Sequence, residues 1–389
     1  MKRILILISA LSLTGAYFSL AQTNKSVKLL HTWDKGNVDQ VKELLPPSLH
    51  MRVKEWGLTL REIPYQKFEY PREFQAATEK NSSQVKLGPN GELLNWVAGI
   101  PFPNPSSGVE IMWNHEKVYY GDSFFWDMEV DIVNSKGQVR HITNTYSRYN
   151  VVGRVDDKRG TKDLQAEDGI LFKELTIVTG PYELRDLGFL QVRYLDQKKD
   201  DDFWVYVPSL RRVRRASAAL KMDQFAGTDL AFDDFLGYNG RVTENNYKLI
   251  GQKEMLLARH SPEKPRREGL QITNLYYEKV KAYVVEAYPT SPQHIYSKRV
   301  FYIDPESWYI LYVEAYDKAG RLWKVVEWPW DHTPYQAPGS PDQPGNFGFI
   351  VIDVQAKHAS FWATKRHDVN RKDLELSQFS TSYLKSLGK

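Results

Sequence analysis

The stretch Tyr309-Ile310-Leu311-Tyr312-Val313-Glu314-Ala315-Tyr316, followed by Asp317-Lys318-Ala319-Gly320, decides the fold class. Its polar and large residues alternate with apolar ones, the two-residue period of a strand with unlike faces. Asp317 to Gly320 is a tight-turn sequence, and 322–328 resumes the strand texture beyond it, so the unit reads as a hairpin. Working toward the N-terminus, β-branched and aromatic runs bounded by Gly, Asp, Asn and Pro cover 124–133, 138–150, 170–178, 188–195 and 203–207. On the near side, 247–250, 270–278, 279–288 and 294–303 continue the series, and 349–355 follows it. Short turns join neighbours with no regular helix between them, which argues for an antiparallel meander over alternating strands and helices.

The exceptions to this texture are few. In 37–57, Asn37 is placed to cap a helix, with Gln40 at the capping-box position and Val38, Val41 and Leu45 on one face. Pro46-Pro47 stops that helix, and Leu49, Val53 and Trp56 repeat at helical spacing up to Gly57, a C-terminal cap. Segment 217–237 carries a short helical stretch around Asp233-Asp234-Phe235-Leu236, and 368–377 reads as another short helix. Four prolines and two glycines make 331–346 a long exposed loop. With no internal repeat or linker, the expectation is a single β domain over 22–389: one large, highly curved antiparallel sheet with helices packed on one face.

Composition narrows the class. Over 389 residues, 42% are hydrophobic and 26% charged, with Trp 11, Tyr 23 and Phe 17. That is ample material for a core and excludes disorder, collagen and coiled coil. The mean hydropathy of −0.52 excludes a polytopic membrane protein. Lys+Arg 52 against Asp+Glu 48 gives +4, too mild for charge alone to imply nucleic acid. With Cys 0, no disulfide framework, thiol nucleophile, thiolate metal site or lipid-anchoring cysteine is available. Met1-Lys2-Arg3, the apolar run 4–13 and Ser19-Leu20-Ala21 follow the three-part pattern of a signal peptide cleaved after Ala21, which places the mature chain in a periplasm.

Local catalytic signatures are missing. The histidines form no His-x-x-x-His pair or wider zinc pattern, and neither a Gly-x-Ser-x-Gly elbow nor a Gly-rich phosphate loop occurs. Asp200-Asp201-Asp202 lacks the Gly and distal Glu of a calcium loop and reads as a solvated hairpin tip. No catalytic residue, metal ligand or cofactor is therefore expected. Two features remain. Arg211, Arg212, Arg214 and Arg215 follow Trp204 and Tyr206 on one strand-like run, and guanidinium groups recognise phosphate or carboxylate bidentately. Acidic residues follow within the next stretch, including Asp233 and Asp234, so the two sets either pair and pin the helical insertion to the sheet or leave the arginines for an anionic headgroup or acidic partner. The second feature is the tryptophans on or beside strands, among them Trp113, Trp126, Trp204 and Trp323, which either fill the core, line a cavity for an apolar ligand or stack on sugars.

Four motifs in order resemble one family. They are 99–105 with Gly108 and Trp113-Asn114; 206–216 with its arginines; 232–235 with Gly240, 247–251 and Lys253-Glu254-Met255; and 299–304 with Trp308, Tyr316-Asp317, Gly320 and Leu322-Trp323. Together they resemble an exported bacterial family of unassigned function described as outer-membrane lipoprotein-sorting-like, similar to the LolA and LolB lipoprotein carriers. The resemblance implies an incomplete β-barrel wrapped around helices, with an apolar cavity on its concave face. It also implies a non-catalytic periplasmic carrier of lipid or another hydrophobic ligand, with an RND-class transporter and an outer-membrane protein as partners and no nucleic acid. An exported sugar-binding module, a scaffold and a hydrolase are the alternatives.

Overall fold

The computed structural model describes residues 28–155, 169–261, 263–329, 348–371 and 373–388. The expected signal peptide and the proline-rich loop lie outside the described residues. One 15-stranded sheet dominates the molecule. Its strands, in chain order, are β1 (His31–Trp33), β2 (Leu60–Glu62), β3 (Ser123–Val133), β4 (Val139–Asn150), β5 (Ile170–Gly180), β6 (Gly188–Tyr194), β7 (Asp202–Val207) and β8 (Arg212–Ala216). There follow β9 (Asn245–Ala258), β10 (Tyr276–Pro289), β11 (Lys298–Ile303), β12 (Ile310–Tyr316), β13 (Leu322–Glu327), β14 (Gly348–Asp353) and β15 (His358–Val369). Four α-helices accompany them: α1 (Pro47–Trp56), α2 (Arg72–Asn81), α3 (Gly108–Glu116) and α4 (Thr381–Ser386).

The spatial order is β1-β2-β10-β11-β12-β13-β14-β15-β3-β4-β5-β6-β7-β8, with β9 on the other edge of β10. Two antiparallel meanders, β10 to β15 and β3 to β8, are thus stitched together by β15 against β3, where Trp362 faces Val130. Because β9 occupies one edge of β10 along its length, β2 and β11 share the opposite edge, β2 at Tyr276-Tyr277 and β11 from Tyr283 onward. The β2–β10 pair is parallel, so the sheet is mixed and not wholly antiparallel as the sequence suggested. Among the described residues no ladder joins β8 to β9 or β1, and the sheet stays open.

The hairpin that fixes the class is present: Glu314 pairs with Val325 across the Asp317–Gly320 turn. Other expectations shift. Segments 270–278 and 279–288 are not two strands but the long β10 plus a short ribbon strand, Gln271–Thr273. The expected helix at 368–377 is the end of β15 and a single turn at Leu376–Gln378, with α4 beginning later, at Thr381. Asn37 does not cap the Val38–Leu44 turn, because its Nδ2 donates to Thr32 O at 2.9 Å and its Oδ1 accepts from Asp34 N at 2.8 Å. Gly57 does close α1, at φ 74°. Helix α3 went unread, although Ser107 and Glu110 form its capping box.

Both faces of the central strands are covered. Successive strand residues point to opposite sides, and β11 shows what lies on each. Tyr302 OH donates to Glu314, the acceptor of Ser48 N from α1 at 2.7 Å, whereas the Phe301 ring lies tilted against that of Tyr238, 5.6 Å between centres. Thus α1 lies on one face and the 218–238 segment on the other. Helix α3 shares the second face, for Gly108 abuts Tyr247, Leu249 and Val285. The main core spans both faces, with Leu49 and Val53 of α1 on one and Phe235 and Phe301 on the other, and a second, separate core joins Tyr206, Leu175 and Leu190 to Phe379 and Leu384 near the C-terminus.

Candidate functional site

An aromatic ladder crosses the inner face of the sheet. Trp328 stacks on Phe349 at 3.7 Å between ring centres, and Phe349 on Trp362 at 4.5 Å. Trp126 and Tyr146 extend the row onto β3 and β4, 5.5 Å apart. Phe235 comes down on this row from the 218–238 segment and meets Trp126, Tyr146, Trp328 and Phe349.

That segment is a cover rather than a helix. It consists of short turns at Ala218–Met222, Phe225–Gly227 and Phe232–Gly237, kinked where Ala226 and Leu236 take φ 47° and 57°. Three anchors hold it. Asp229 Oδ2 accepts from Ser360 Oγ at 2.6 Å and lies 2.7 Å from His358 Nδ1, and Lys324 Nζ donates to Asp229 O at 2.7 Å. Asp234 pairs with Arg299 at 3.2 Å and accepts from Tyr296 OH at 2.5 Å. Gly237, at φ +85°, passes so close to β12 that a Cβ there would sit 2.7 Å from Ile310 Cβ.

Between cover and sheet lies a cavity of about 40 Å³. Phe225, Leu230, Phe232 and Phe235 form its roof; Met128, Phe189, Phe203 and Trp362 form the apolar part of its floor. One end is polar, with Glu174, Gln191 and Asn239; Thr176 and then Asn144 follow along the sheet toward the level of Met128, and no cationic side chain lines the cavity. At about 10–15 Å³ for each water, the cavity holds about three waters or the tip of a chain. A longer guest enters only if the cover lifts.

A buried ionic network backs the polar end. Glu174 accepts from Tyr146 OH at 2.5 Å, Arg148 Nε at 2.6 Å and Asn239 Nδ2 at 3.1 Å. Burial pushes the Tyr146 phenol well above its usual range, so it is a fixed donor. Beyond Arg148, Arg193 and Arg241 both pair with Asp201 at 2.8 Å. Burial opposes ionisation of Asp201, yet Arg193 and Arg241 hold its carboxyl below the ordinary value. A larger hollow, about 300 Å³, opens on the other face between 42–50 and β9–β11. Its floor is Leu45, Met255, Val284 and Tyr302, but Lys42, Glu43, His50 and Lys253 ring it, and a charged rim makes it a solvated groove.

The residues singled out from the sequence do not converge on this cavity. Trp126 stands in the aromatic ladder beside it. Trp113 is fully buried in α3, its Nε1 donating to Gly91 O at 2.8 Å. Trp204 and Tyr206 point to the opposite face, into the C-terminal core. Trp323 is half-buried, its Nε1 donating to Asp353 at 2.8 Å. Arg211, Arg212 and Arg214 are exposed and make no ion pair among the described residues, while Arg215 pairs with Asp202 at the surface. Asp233 and Asp234 do not meet that arginine run: Asp234 pairs with Arg299, and Asp233 lies 3.8 Å from His294. Trp362, one of the tryptophans read as core or cavity lining, does line it, whereas Asn144, Phe225 and Phe232 were missed. Phenylalanines in a segment without strand or helix periodicity were the available signal for the roof; Asn144 had none, because only cross-strand register brings it there.

Among the described residues no group of three or more His, Asp or Glu is placed to hold a metal, and no helix is long and apolar enough to cross a membrane.

The chain is 30% identical over 331 residues to an uncharacterized protein of Pseudomonas aeruginosa, covering 79% of this chain and 70% of that one. Among solved structures, a DUF1329 family protein from Desulfovibrio piger superposes with a TM-score of 0.50 at 18% identity, over 71% of this chain and 97% of that one. A domain named for outer membrane lipoprotein sorting, from Vibrio parahaemolyticus, gives a TM-score of 0.49 at 19% identity over the same shares, 71% and 97%. A LolA superfamily protein from Nitrosomonas europaea gives 0.41 at 14% identity, over 72% of this chain and 100% of that one. The family model described as protein of unknown function DUF1329 matches residues 32–385, nearly the whole described chain, and to that family this chain belongs.

Proposed function

We propose that this chain is a periplasmic carrier or binding protein for a lipid-like hydrophobic molecule, which it holds without chemical change and passes between envelope export components. The observation that carries this reading is the aromatic cavity roofed by the Phe225–Phe235 cover. Burying each methylene there is worth about 0.8 kcal/mol, so a modest chain binds with no covalent step. The open sheet supports it, since a sheet that does not close lets its cover move. The exposed Arg211, Arg212 and Arg214 then offer a contact for an acidic surface on a transporter or outer-membrane partner.

The test is to express the chain with its own N-terminal segment and recover the mature protein from periplasm without detergent. Organic extraction and mass spectrometry should then find one lipid-like species near one per chain. Protein that comes out empty, and that takes up no apolar fluorophore afterwards, rules the carrier reading out.

A further inference from the structure

One polar side chain in the cavity wall has its carbonyl oxygen unmatched. Asn144 is 2% exposed on β4, lines the cavity, and its Oδ1 has no hydrogen-bond partner. Its Nδ2 has only a long contact to Thr145 O at 3.5 Å. A buried amide oxygen without a partner carries a desolvation cost, so a donor placed beside it in the cavity is favoured. The other polar groups of the wall lie farther along the sheet, at the level of Arg148, and are already engaged: Glu174 is filled by Tyr146, Arg148 and Asn239, and Gln191 donates to Asp201 at 2.8 Å. Asn144, opposite Met128 and Val178, is therefore the group that a guest would complete.

We propose that the cavity receives the hydroxyl end of an uncharged, otherwise apolar molecule, with Asn144 as its hydrogen-bond partner; this rests on the carrier reading of the same cavity and names its ligand class. The chemistry selects a hydroxyl over other polar ends. A hydroxyl both donates and accepts, so it satisfies Asn144 whichever way the amide is turned. An ether or ketone only accepts and cannot meet Oδ1. A carboxylate or phosphate would enter a cavity with no lining cation and with Glu174 in its wall, an uncompensated buried charge. The volume of about 40 Å³ fits the narrow end of a chain, while the remainder lies under the phenylalanine roof once the cover lifts.

The experiment displaces an uncharged fluorophore, N-phenyl-1-naphthylamine, from the full mature chain with decan-1-ol, decanoate and 1-methoxynonane. Decan-1-ol should bind about tenfold more tightly than the ether, the size of one buried hydrogen bond, and decanoate should be weaker still. In Asn144→Leu the alcohol and the ether should become equal, with apolar binding retained. The comparison of the three ligands on the unaltered protein stands even if that variant does not fold. Equal binding of alcohol and ether, tighter binding of decanoate, or an alcohol preference that survives in Asn144→Leu would each overturn the assignment while leaving the carrier reading in place. Failure of the fluorophore and all three ligands to bind removes the carrier reading, and this assignment with it.

Discussion

Arg299 is fully buried, with its guanidinium 3.2 Å from Asp234 and 4.6 Å from the Tyr238 ring centre. Removing one partner strands the other charge in the core, so Asp234→Ala should cost about 3–5 kcal/mol in urea unfolding. A loss under about 1 kcal/mol would show that the pair does not anchor the cover. His115 makes the second residue-scale case. Both ring nitrogens face carbonyls, Nδ1 that of Trp308 at 3.0 Å and Nε2 that of Tyr238 at 3.2 Å, yet burial pushes the imidazole down to about 4. The folded pKa lies below the unfolded 6.5, so the unfolded chain takes up the proton first. Stability is then complete above pH 6.5 and falls toward pH 4, by on the order of 3 kcal/mol from this group. Urea midpoints at pH 7 and 4.5 check the slope, which His115→Gln should flatten; an unchanged slope would assign the acid sensitivity elsewhere. At this scale the sequence was half legible. Two adjacent aspartates in a turn read as anchors, but Arg299 lies 65 positions from Asp234, and only the pairing of β11 with its neighbours brings it beneath the turn.

At the scale of elements, strand β8 carries the arginines on an exposed edge, with Val213 packed beneath it on the C-terminal core. Replacing Arg211, Arg212, Arg214 and Arg215 together by Gln should move unfolding by no more than about 0.5 kcal/mol, as exposed substitutions do, while weakening capture by an acidic partner surface. A variant that fails to fold would make the run structural. The C-terminal residues behave oppositely. Phe379 and Leu384 are both fully buried against Tyr206 and Leu190, so ending the chain after residue 373 should cost more than about 3 kcal/mol and lower the melting temperature. An unaltered melting temperature would mean that the second core contributes nothing. Strands were the most readable elements because alternation survives in 309–316 and 124–133. Strand β15 escaped notice because 358–364 is buried almost throughout and shows no two-residue period. The cover escaped for another reason: its turns obey neither period, and its geometry is set by the sheet below.

For the molecule as a whole, the decisive property is a sheet that turns back on neither of its ends. The ladder ends at β8 and at the three-residue β1, and β9, set beside β10, has no strand on its outer side among the described residues. Openness was legible only through the family resemblance, since strand count and texture are the same for closed and open sheets. An unpaired strand edge is a template for another chain, so a protein that leaves such edges must prevent self-templating. The sequence meets this requirement at β8 and β9. Strand β8 bears arginines, and β9 carries exposed Lys248 and Lys253 around a bulge between Leu249 and Gly251, where φ is 134°. The consequence is colloidal. The charges that read as a binding signal also keep copies of this protein apart, and Lys248→Val with Lys253→Val should leave the fold standing while driving edge-to-edge association, visible as growth in light scattering and thioflavin fluorescence at concentrations where the unaltered chain stays dispersed.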